Sequence, residues 1–237
     1  MAINTKIRSQ EAELMDDFSM EGEMLRDALD KIASINQILG GNKLTLQGVK
    51  FLIAEIPRTA IITIVDIGCG NGDMLRALAD YGLKNDISFN LIGVDANDFT
   101  IKHAEHLSLN YPNIKYKCED VFSQQFTTLS YDIVLCTLTL HHFKDTEIIN
   151  LMTVLHSKAA IGIVVNDLQR SAISYRLFQA LCAVFRLNKM SRNDGLVSIL
   201  RGFKREELEA FSLKLQFKNY SIQWKWAFRY QWIISKL

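Results

Sequence analysis

Long apolar runs are missing from this 237-residue chain. The longest are short stretches such as Ile161-Gly162-Ile163-Val164-Val165, far below the ~18–20 residues that cross a bilayer, so integral membrane association is not expected. The first residues, Met1 to Asp17, carry Lys6, Arg8, Glu11, Glu13, Asp16 and Asp17 and lack the apolar stretch of a secretory signal. Cysteine is sparse: Cys69, Cys118, Cys136 and Cys182 lie far apart and form no CxxC pair. That pattern argues against a disulfide framework and points to a reducing cytoplasm. Charge of one sign is also missing. Lys plus Arg is 27 against 26 Asp plus Glu, too balanced for a chain whose main work is gripping a nucleic-acid backbone. There is no internal repeat, low-complexity tract or linker that would split the chain.

What is present is a soluble, core-forming composition, 49% apolar and 22% charged. Apolar residues at helical spacing predict a helix over Met20 to Leu39 that stops at Gly40-Gly41, and a shorter one from about Thr45 to Ile56 before Pro57. Strand-like runs follow at Ile61–Val65, Phe89–Val94, Ile114–Lys117, Ile133–Cys136 and Ala160–Val165. Helix-like runs at Met74–Ala79, Phe99–Leu107 and Glu147–Leu155 alternate with them. Such alternation implies an α/β domain with a parallel sheet covered on both faces. The rhythm ends in two partly alternating runs, Gln216–Trp224 and Ala227–Ser235, which read as an antiparallel hairpin. Trp224, Trp226 and Trp232 fall in it and are expected to be core or sheet-face residues. Between the fifth strand and the hairpin lies an interruption of about 167–203 with an amphipathic run, Ile173 to Leu187. Residues 170–205 carry eight bases against one acid, so the neutral total hides one basic segment. The organisation expected is a helical cap over 1–57 and a catalytic domain over 58–237 with a lid at about 167–203.

The first strand runs into Asp66-Ile67-Gly68-Cys69-Gly70-Asn71-Gly72 and then a helix pattern. Glycines at a strand-to-helix turn let the backbone approach a ligand and leave amides free to meet it. A second acid, Asp95, ends the second strand, and Glu119-Asp120 follow the third. All fall at the carboxyl edge of the sheet, where open α/β folds bind ligands. A dinucleotide-binding Rossmann domain would use GxGxxG, but position 73 is Asp, poorly placed beside a diphosphate.

These motifs, VDIGCGNG, GVDAN and CEDVF, resemble those of the class I S-adenosylmethionine-dependent methyltransferases. The resemblance implies a Rossmann-like, doubly wound seven-stranded sheet of order 3-2-1-4-5-7-6 with strand seven antiparallel. It further implies that Gly68, Gly70 and Gly72, with Cys69, lie along the methionine part of S-adenosylmethionine and that Asp95 bonds the ribose hydroxyls. Asp120 would then bond the adenine amine, Val121 would cover the ring, Asp66 would help hold the loop, and Ala96 and Thr137 would complete the wall. S-adenosylhomocysteine would be the product, and no metal is expected.

The fourth strand leads into Thr137-Leu138-Thr139-Leu140-His141-His142-Phe143, similar to the LHHF segment of several small-molecule members. Methyl transfer needs the acceptor, methyl and sulfur held in line and, for a hydroxyl acceptor, removal of a proton. Histidine suits the second task because its ordinary pKa is near neutral. His142 is the favoured base and His141 the supporting or alternative residue, the competing account being that both only shape the wall while proximity does the work. His103 and His106, three apart on a helix, lack a third metal ligand and are expected at the surface.

Asn166, Asp167 and Arg170 fall at the same edge, and Arg192, Asp194 and Arg201 follow the amphipathic run. Together with Glu13-Leu14-Met15-Asp16-Asp17, NDLxR and DGxxSxxRxF are similar to a bacterial methyltransferase branch associated with type III polyketide synthases and phenolic products. The resemblance implies O-methylation of a phenolic or polyketide-like acceptor. N- or C-methylation of a quinone-like metabolite, or a noncatalytic cofactor-binding relative, are the alternatives. Asp167 joins the histidines as a catalytic candidate; Asn166, Arg170, Arg192, Asp194 and Arg201 are candidates to bind the acceptor or face an acyl carrier protein. The duller account pairs Arg170 and Arg201 with Asp167 and Asp194 as lid braces. A nucleic-acid acceptor is disfavoured, since LTLHHF replaces the Asn/Asp-Pro-Pro-aromatic tetrad of base amino-group methylases. Monomer and homodimer both remain open.

Overall fold

The computed structural model describes residues 3–185 and 187–237; Met1, Ala2 and Arg186 of the basic segment lie outside the described residues. Seven strands form one sheet in the order β3-β2-β1-β4-β5-β7-β6. They are β1 (Ile61–Ile67), β2 (Ser88–Asp95), β3 (Ile114–Cys118), β4 (Tyr131–Thr137), β5 (Ala159–Leu168), β6 (Asn219–Lys225) and β7 (Arg229–Ser235). The first five pair in parallel, while β7 runs antiparallel between β5 and β6.

Because side chains alternate across a strand, β4 feeds two cores at once. Val134 and Cys136 face one cluster with Ile148, Met152, Leu155, Phe211 and Trp232. Ile133 and Leu135 face the other with Val49, Leu52, Leu75, Leu78 and Leu91. Helices α5 (Asp145–Lys158) and α8 (Arg205–Lys214) therefore cover one face, and α2 (Gly41–Leu52) and α3 (Asp73–Asn85) the other. Burying each such Leu or Ile contributes roughly 1.5–3 kcal/mol.

Several boundaries shift from the sequence expectation. Gly40, at φ 80°, turns the chain directly from α1 (Glu23–Ile38) into α2. The glycine pair is thus a corner between helices, and α2 starts four residues earlier than Thr45. Strand β5 extends to Leu168, so Asn166 and Asp167 are strand residues, buried in the sheet. Only Trp232 of the three tryptophans is core; Trp224 and Trp226 are exposed. His103, on α4 (Asp98–Leu107), is covered by α1 and its Nε2 lies 2.8 Å from Asp30, whereas His106 is exposed. Cys69, Cys136 and Cys182 are buried free thiols and Cys118 an exposed one.

The segment after β5 leaves and returns at one point. Gln169 bridges Phe203, and Phe203 donates its amide to the Leu168 carbonyl at 2.8 Å. Between them α6 (Ala172–Val184) and α7 (Lys189–Arg201) pack on each other above the carboxyl edge, and the N-terminal segment and α1 touch α7 from the other side.

Candidate active site

The carboxyl ends of β1, β2 and β4 open into a cavity of about 920 Å³ roofed by α1, α6, α7 and the N-terminal segment. After β1, Gly68, Gly70 and Gly72 all adopt left-handed backbone, with φ of 63°, 51° and 77°. A methyl on Gly70 would have no neighbour closer than 3.9 Å, whereas one on Gly72 would lie 2.0 Å from Tyr116 Oη. Gly68, Cys69 and Gly70 line the cavity. Gly72 does not: it makes the turn into α3 and lets the loop close over Tyr116.

The three acids marked in the sequence, Asp66, Asp95 and Asp120, all line this cavity. Asp95 accepts the Gly70 amide at 3.2 Å and the Asn97 amide at 3.1 Å, so the end of β2 and the loop are held as one unit. Burial nevertheless pushes its carboxyl up. Asp66 is more extreme: fully enclosed, with Oδ1 unpartnered, it is pushed well above the ordinary range by burial and then by Asp73 and Asp95. Asp120 is exposed on the far wall, accepting the Phe122 amide at 2.9 Å. Ala96, Val121 and Thr137 complete the same lining, Thr137 Oγ1 lying 3.1 Å from Thr45 Oγ1.

Across the cavity, β4 leads into Leu138, a non-glycine residue at φ 56°, and then a 3-10 turn, Leu140–His142. Such a backbone costs about 1–3 kcal/mol and persists where the surroundings enforce it; here the Leu138 amide donates to the Asn166 carbonyl at 2.9 Å. The two imidazoles stack with centroids 4.2 Å apart, yet they differ in access. His141 is enclosed, its Nδ1 donating to Asp167 Oδ1 at 2.7 Å and its amide to Asp167 Oδ2 at 3.1 Å. Burial alone would raise the Asp167 carboxyl; the charge and hydrogen bond of His141 outweigh it and hold it low. The His142 side chain is 27% exposed, and its Nδ1 donates to Asp16 Oδ1 at 2.6 Å.

Asp16 also receives Arg201 Nη1 at 2.6 Å. Burial works against its charge, but the His142 and Arg201 hydrogen bonds hold the carboxyl well below the usual carboxylate range. Three residues earlier, Glu13 accepts Ser198 Oγ at 2.7 Å on one oxygen. Its other oxygen lies 3.6 Å from His141 Nε2, and among the described residues neither buried atom has a hydrogen-bond partner. Burial raises Glu13 to about 6, with His142, Ser198 and Arg201 opposing. Glu13, His141 and His142 each offer one ligand atom within 4.8 Å of the others and are the residues that could hold a metal ion, although Arg201 Nη1 already stands 3.6 Å from Glu13.

The residues expected to bind acceptor are mostly structural. Arg170 is buried and paired with Glu207 at 2.5 Å, also donating to the Gly202 and Thr5 carbonyls. It does not line the cavity, and neither do Asn166, Asp167 or the exposed Arg192. Asn166 donates to the Gly41 carbonyl and to Thr45, each at 3.0 Å. Asp194 lines the cavity but accepts the Leu14 and Met15 amides, capping the 3-10 turn Leu14–Asp16. Arg201 also lines it while donating to the carbonyls of Glu11, His141 and His142. The braces are thus Arg170–Glu207 and Arg201–Asp16, where pairing with Asp167 and Asp194 was expected. The sequence did not single out Glu13 and Asp16 as cavity residues, although their ELMDD segment was visible, nor Arg229, a buried residue of the cavity wall that nothing in its sequence neighbourhood marks.

Residues 64–162 match the family described as "Methyltransferase domain". Over 87 residues the chain is 34% identical to the ubiquinone biosynthesis O-methyltransferase of Coxiella burnetii, covering 35% of this chain and 34% of that protein. Over 73 residues it is 36% identical to putative methyltransferase 235L of invertebrate iridescent virus 6, covering 31% and 24%. The match thus spans about a third or less of these relatives' length. Among solved structures, the plantazolicin methyltransferase BpumL in complex with S-adenosylhomocysteine superposes with a TM-score of 0.65 at 16% identity, covering 88% of this chain and 89% of that one. The magnesium protoporphyrin IX methyltransferase of Synechocystis PCC 6803 gives 0.54 at 17% identity, covering 83% and 82%. Residues 64–162 thus match a methyltransferase domain, and the fold of the chain is the one these methyltransferase structures share.

Proposed function

We propose that this chain transfers the methyl group of S-adenosylmethionine to a hydroxyl oxygen of a small phenolic or polyketide-like acceptor. S-adenosylmethionine supplies a methyl group bound to a positively charged sulfur, and its site is the half of the cavity walled by Gly68, Cys69, Gly70, Asp66, Asp95, Ala96, Asp120, Val121 and Thr137. The fit rests on the open space over Gly70 and the unpartnered buried oxygen of Asp66.

The observation that carries the reading to oxygen is the Asp16–His142 pair. A carboxylate that fixes the proton on Nδ1 leaves Nε2 as the basic nitrogen, and His142 lines the cavity with no hydrogen bond to Nε2 among the described residues. With the cofactor held in that half of the cavity to supply the methyl group, Nε2 of His142 would take the proton of a hydroxyl acceptor as its oxygen is methylated. His141 and Asp167 hold the turn that presents His142. The similarity to a ubiquinone biosynthesis O-methyltransferase supports the same reaction class. Residues 1–57 act as a cap, and the exposed Arg192 is the one arginine of the three left available to an acidic carrier protein.

The test is incubation of the chain with methyl-labelled S-adenosylmethionine and a panel of phenols, quinols and carrier-bound polyketides. Label on oxygen, abolished in His142→Ala with S-adenosylhomocysteine binding intact, is the expected result. Label on nitrogen or carbon, or unchanged turnover in the variant, overturns it.

A further inference from the structure

The sequence offered three arginines as anion receptors, and the fold occupies or exposes all of them. The cavity nevertheless contains a cation that no partner neutralises. Arg229 opens β7 beside Leu168 of β5, is 3% exposed and lines the cavity. Among the described residues its guanidinium makes no hydrogen bond or ion pair, and Nε and Nη1 are buried donors without acceptors. The nearest acid by influence, Asp167, already accepts the His141 Nδ1 and amide and the Leu168 amide at 2.7–3.1 Å. Burial lowers the Arg229 pKa only to about 10, so the group is charged at neutral pH.

A buried charge without a partner is among the most unfavourable arrangements in a folded chain. Nearby packing is built around this one. A methyl on Gly41 would lie 1.9 Å from Asn36 Oδ1 and 3.0 Å from Arg229 Nη1, so glycine at the α1–α2 corner makes room first for the Asn36 amide and then for the guanidinium. Asn36 Oδ1 is also buried without a donor. Nε and Nη1 are themselves enclosed, but Arg229 as a residue lines the cavity, so a partnerless guanidinium stands at its wall and matches a carboxylate bound there.

We propose that Arg229 is the receptor for a carboxylate bound in this cavity. The proposal rests on the cavity being the methyltransferase site. Within it two molecules can bring that group: the amino-acid end of the cofactor, or an aromatic acceptor bearing a carboxylate. The site is then specific for an anion through a residue on β7, outside the glycine loop.

Calorimetric titration with two pairs of probes separates the sources. S-adenosylhomocysteine and 5′-methylthioadenosine share the adenosine and sulfur, but only the first has an amino-acid end. 3,4-Dihydroxybenzoate and catechol, added to the S-adenosylhomocysteine complex, differ only in a carboxylate. If the cofactor is the source, Arg229→Met weakens S-adenosylhomocysteine by at least about tenfold and leaves methylthioadenosine unchanged, the size expected for a charge-assisted hydrogen bond. If the acceptor is the source, both cofactor probes are unchanged, and dihydroxybenzoate weakens by the same factor while catechol does not. A wild-type protein that prefers the carboxylated member of neither pair overturns the proposal. So does a variant that loses all four probes equally or none. Should Arg229→Met fail to fold, Arg229→Lys and Arg229→Gln are compared within each pair. Lysine is expected to retain the preference and glutamine to lose it, and equal preference overturns the assignment. Failure of every probe to bind wild type would instead count against the methyltransferase site itself.

Discussion

His142 Nδ1 and Asp16 Oδ1 lie 2.6 Å apart, although 126 residues separate them in the chain. The N-terminal segment reaches this position because Asp194 caps its short turn through two amides and Arg201 holds Asp16 from α7. The proposed base is thus oriented by a carboxylate outside the sheet, on a segment that α7 fastens down.

Asp16→Asn keeps the shape of the side chain and removes its charge. We expect kcat to fall by about tenfold to a hundredfold, part of the usual contribution of general-base catalysis. S-adenosylhomocysteine affinity and acceptor KM should change less than threefold, roughly 0.7 kcal/mol. Steady-state kinetics and calorimetry on the same preparation check the split. A loss confined to KM would mean that Asp16 positions the acceptor and leaves the proton step alone.

The two acids of this segment act on stability in opposite directions. Glu13 has a raised folded pKa, about 6 against an ordinary 4.5, so the folded chain binds more protons than the unfolded one between those values. Its effect favours the folded state below pH 4.5 and is lost as pH rises through about 6. Asp16 is lowered, so its contribution is present above its ordinary value and lost as pH falls below it. Thermal melts of Glu13→Gln against wild type should therefore diverge between pH 4.5 and 6, with wild type losing midpoint as pH rises and the variant flatter. Parallel curves would refute the burial of Glu13.

Much of the fold was legible because its signals are local. Apolar runs such as Ile61–Val65 and Ile133–Cys136 lie within observed strands, and the glycine turn after Asp66 carries its backbone requirement in its own residues. The strand order came from the resemblance, since spacing alone does not order strands. The acceptor side was less readable, because a side chain's role there depends on what folds onto it. Arg170 and Arg201 have the composition of anion receptors, yet Glu207 and Asp16 claim them. Arg229, on a strand that reads as sheet core, is the one left over. The apolar run read as the fifth strand stops at Val165, whereas β5 continues through Asn166 and Asp167, whose partners Gly41, Thr45 and His141 come from other parts of the chain.

The glycine loop separates backbone strain from ligand contact. A Cβ at Gly72 would meet Tyr116 Oη at 2.0 Å and would require left-handed backbone, costing at least ~1–2 kcal/mol. A Cβ at Gly70 carries the same backbone cost but meets open cavity. Gly72→Ala should lower the melting midpoint more than Gly70→Ala does. Gly70→Ala should weaken S-adenosylhomocysteine more, relative to its stability loss. Melting curves with and without S-adenosylhomocysteine measure both, and an inverted order would place the ligand on the wrong side of the loop.

Arg170 supplies the counter-test for the acceptor assignment. Its side chain is fully enclosed, paired with Glu207 and hydrogen-bonded to the carbonyls of Thr5 and Gly202, so it ties the N-terminal segment and the end of α7 to α8. Removing one partner of a buried pair typically costs about 3–5 kcal/mol, and Glu207, 30% exposed, softens this because water can reach the orphaned carboxylate. Arg170→Met should therefore lose about 2–3 kcal/mol in chemical denaturation. At a temperature where the variant is folded, its acceptor KM should match wild type, because no guanidinium atom of Arg170 reaches the cavity. Arg170→Lys keeps the charge without the planar fork and should recover less than half of the lost stability. A raised KM in both variants at full foldedness would return Arg170 to the acceptor site.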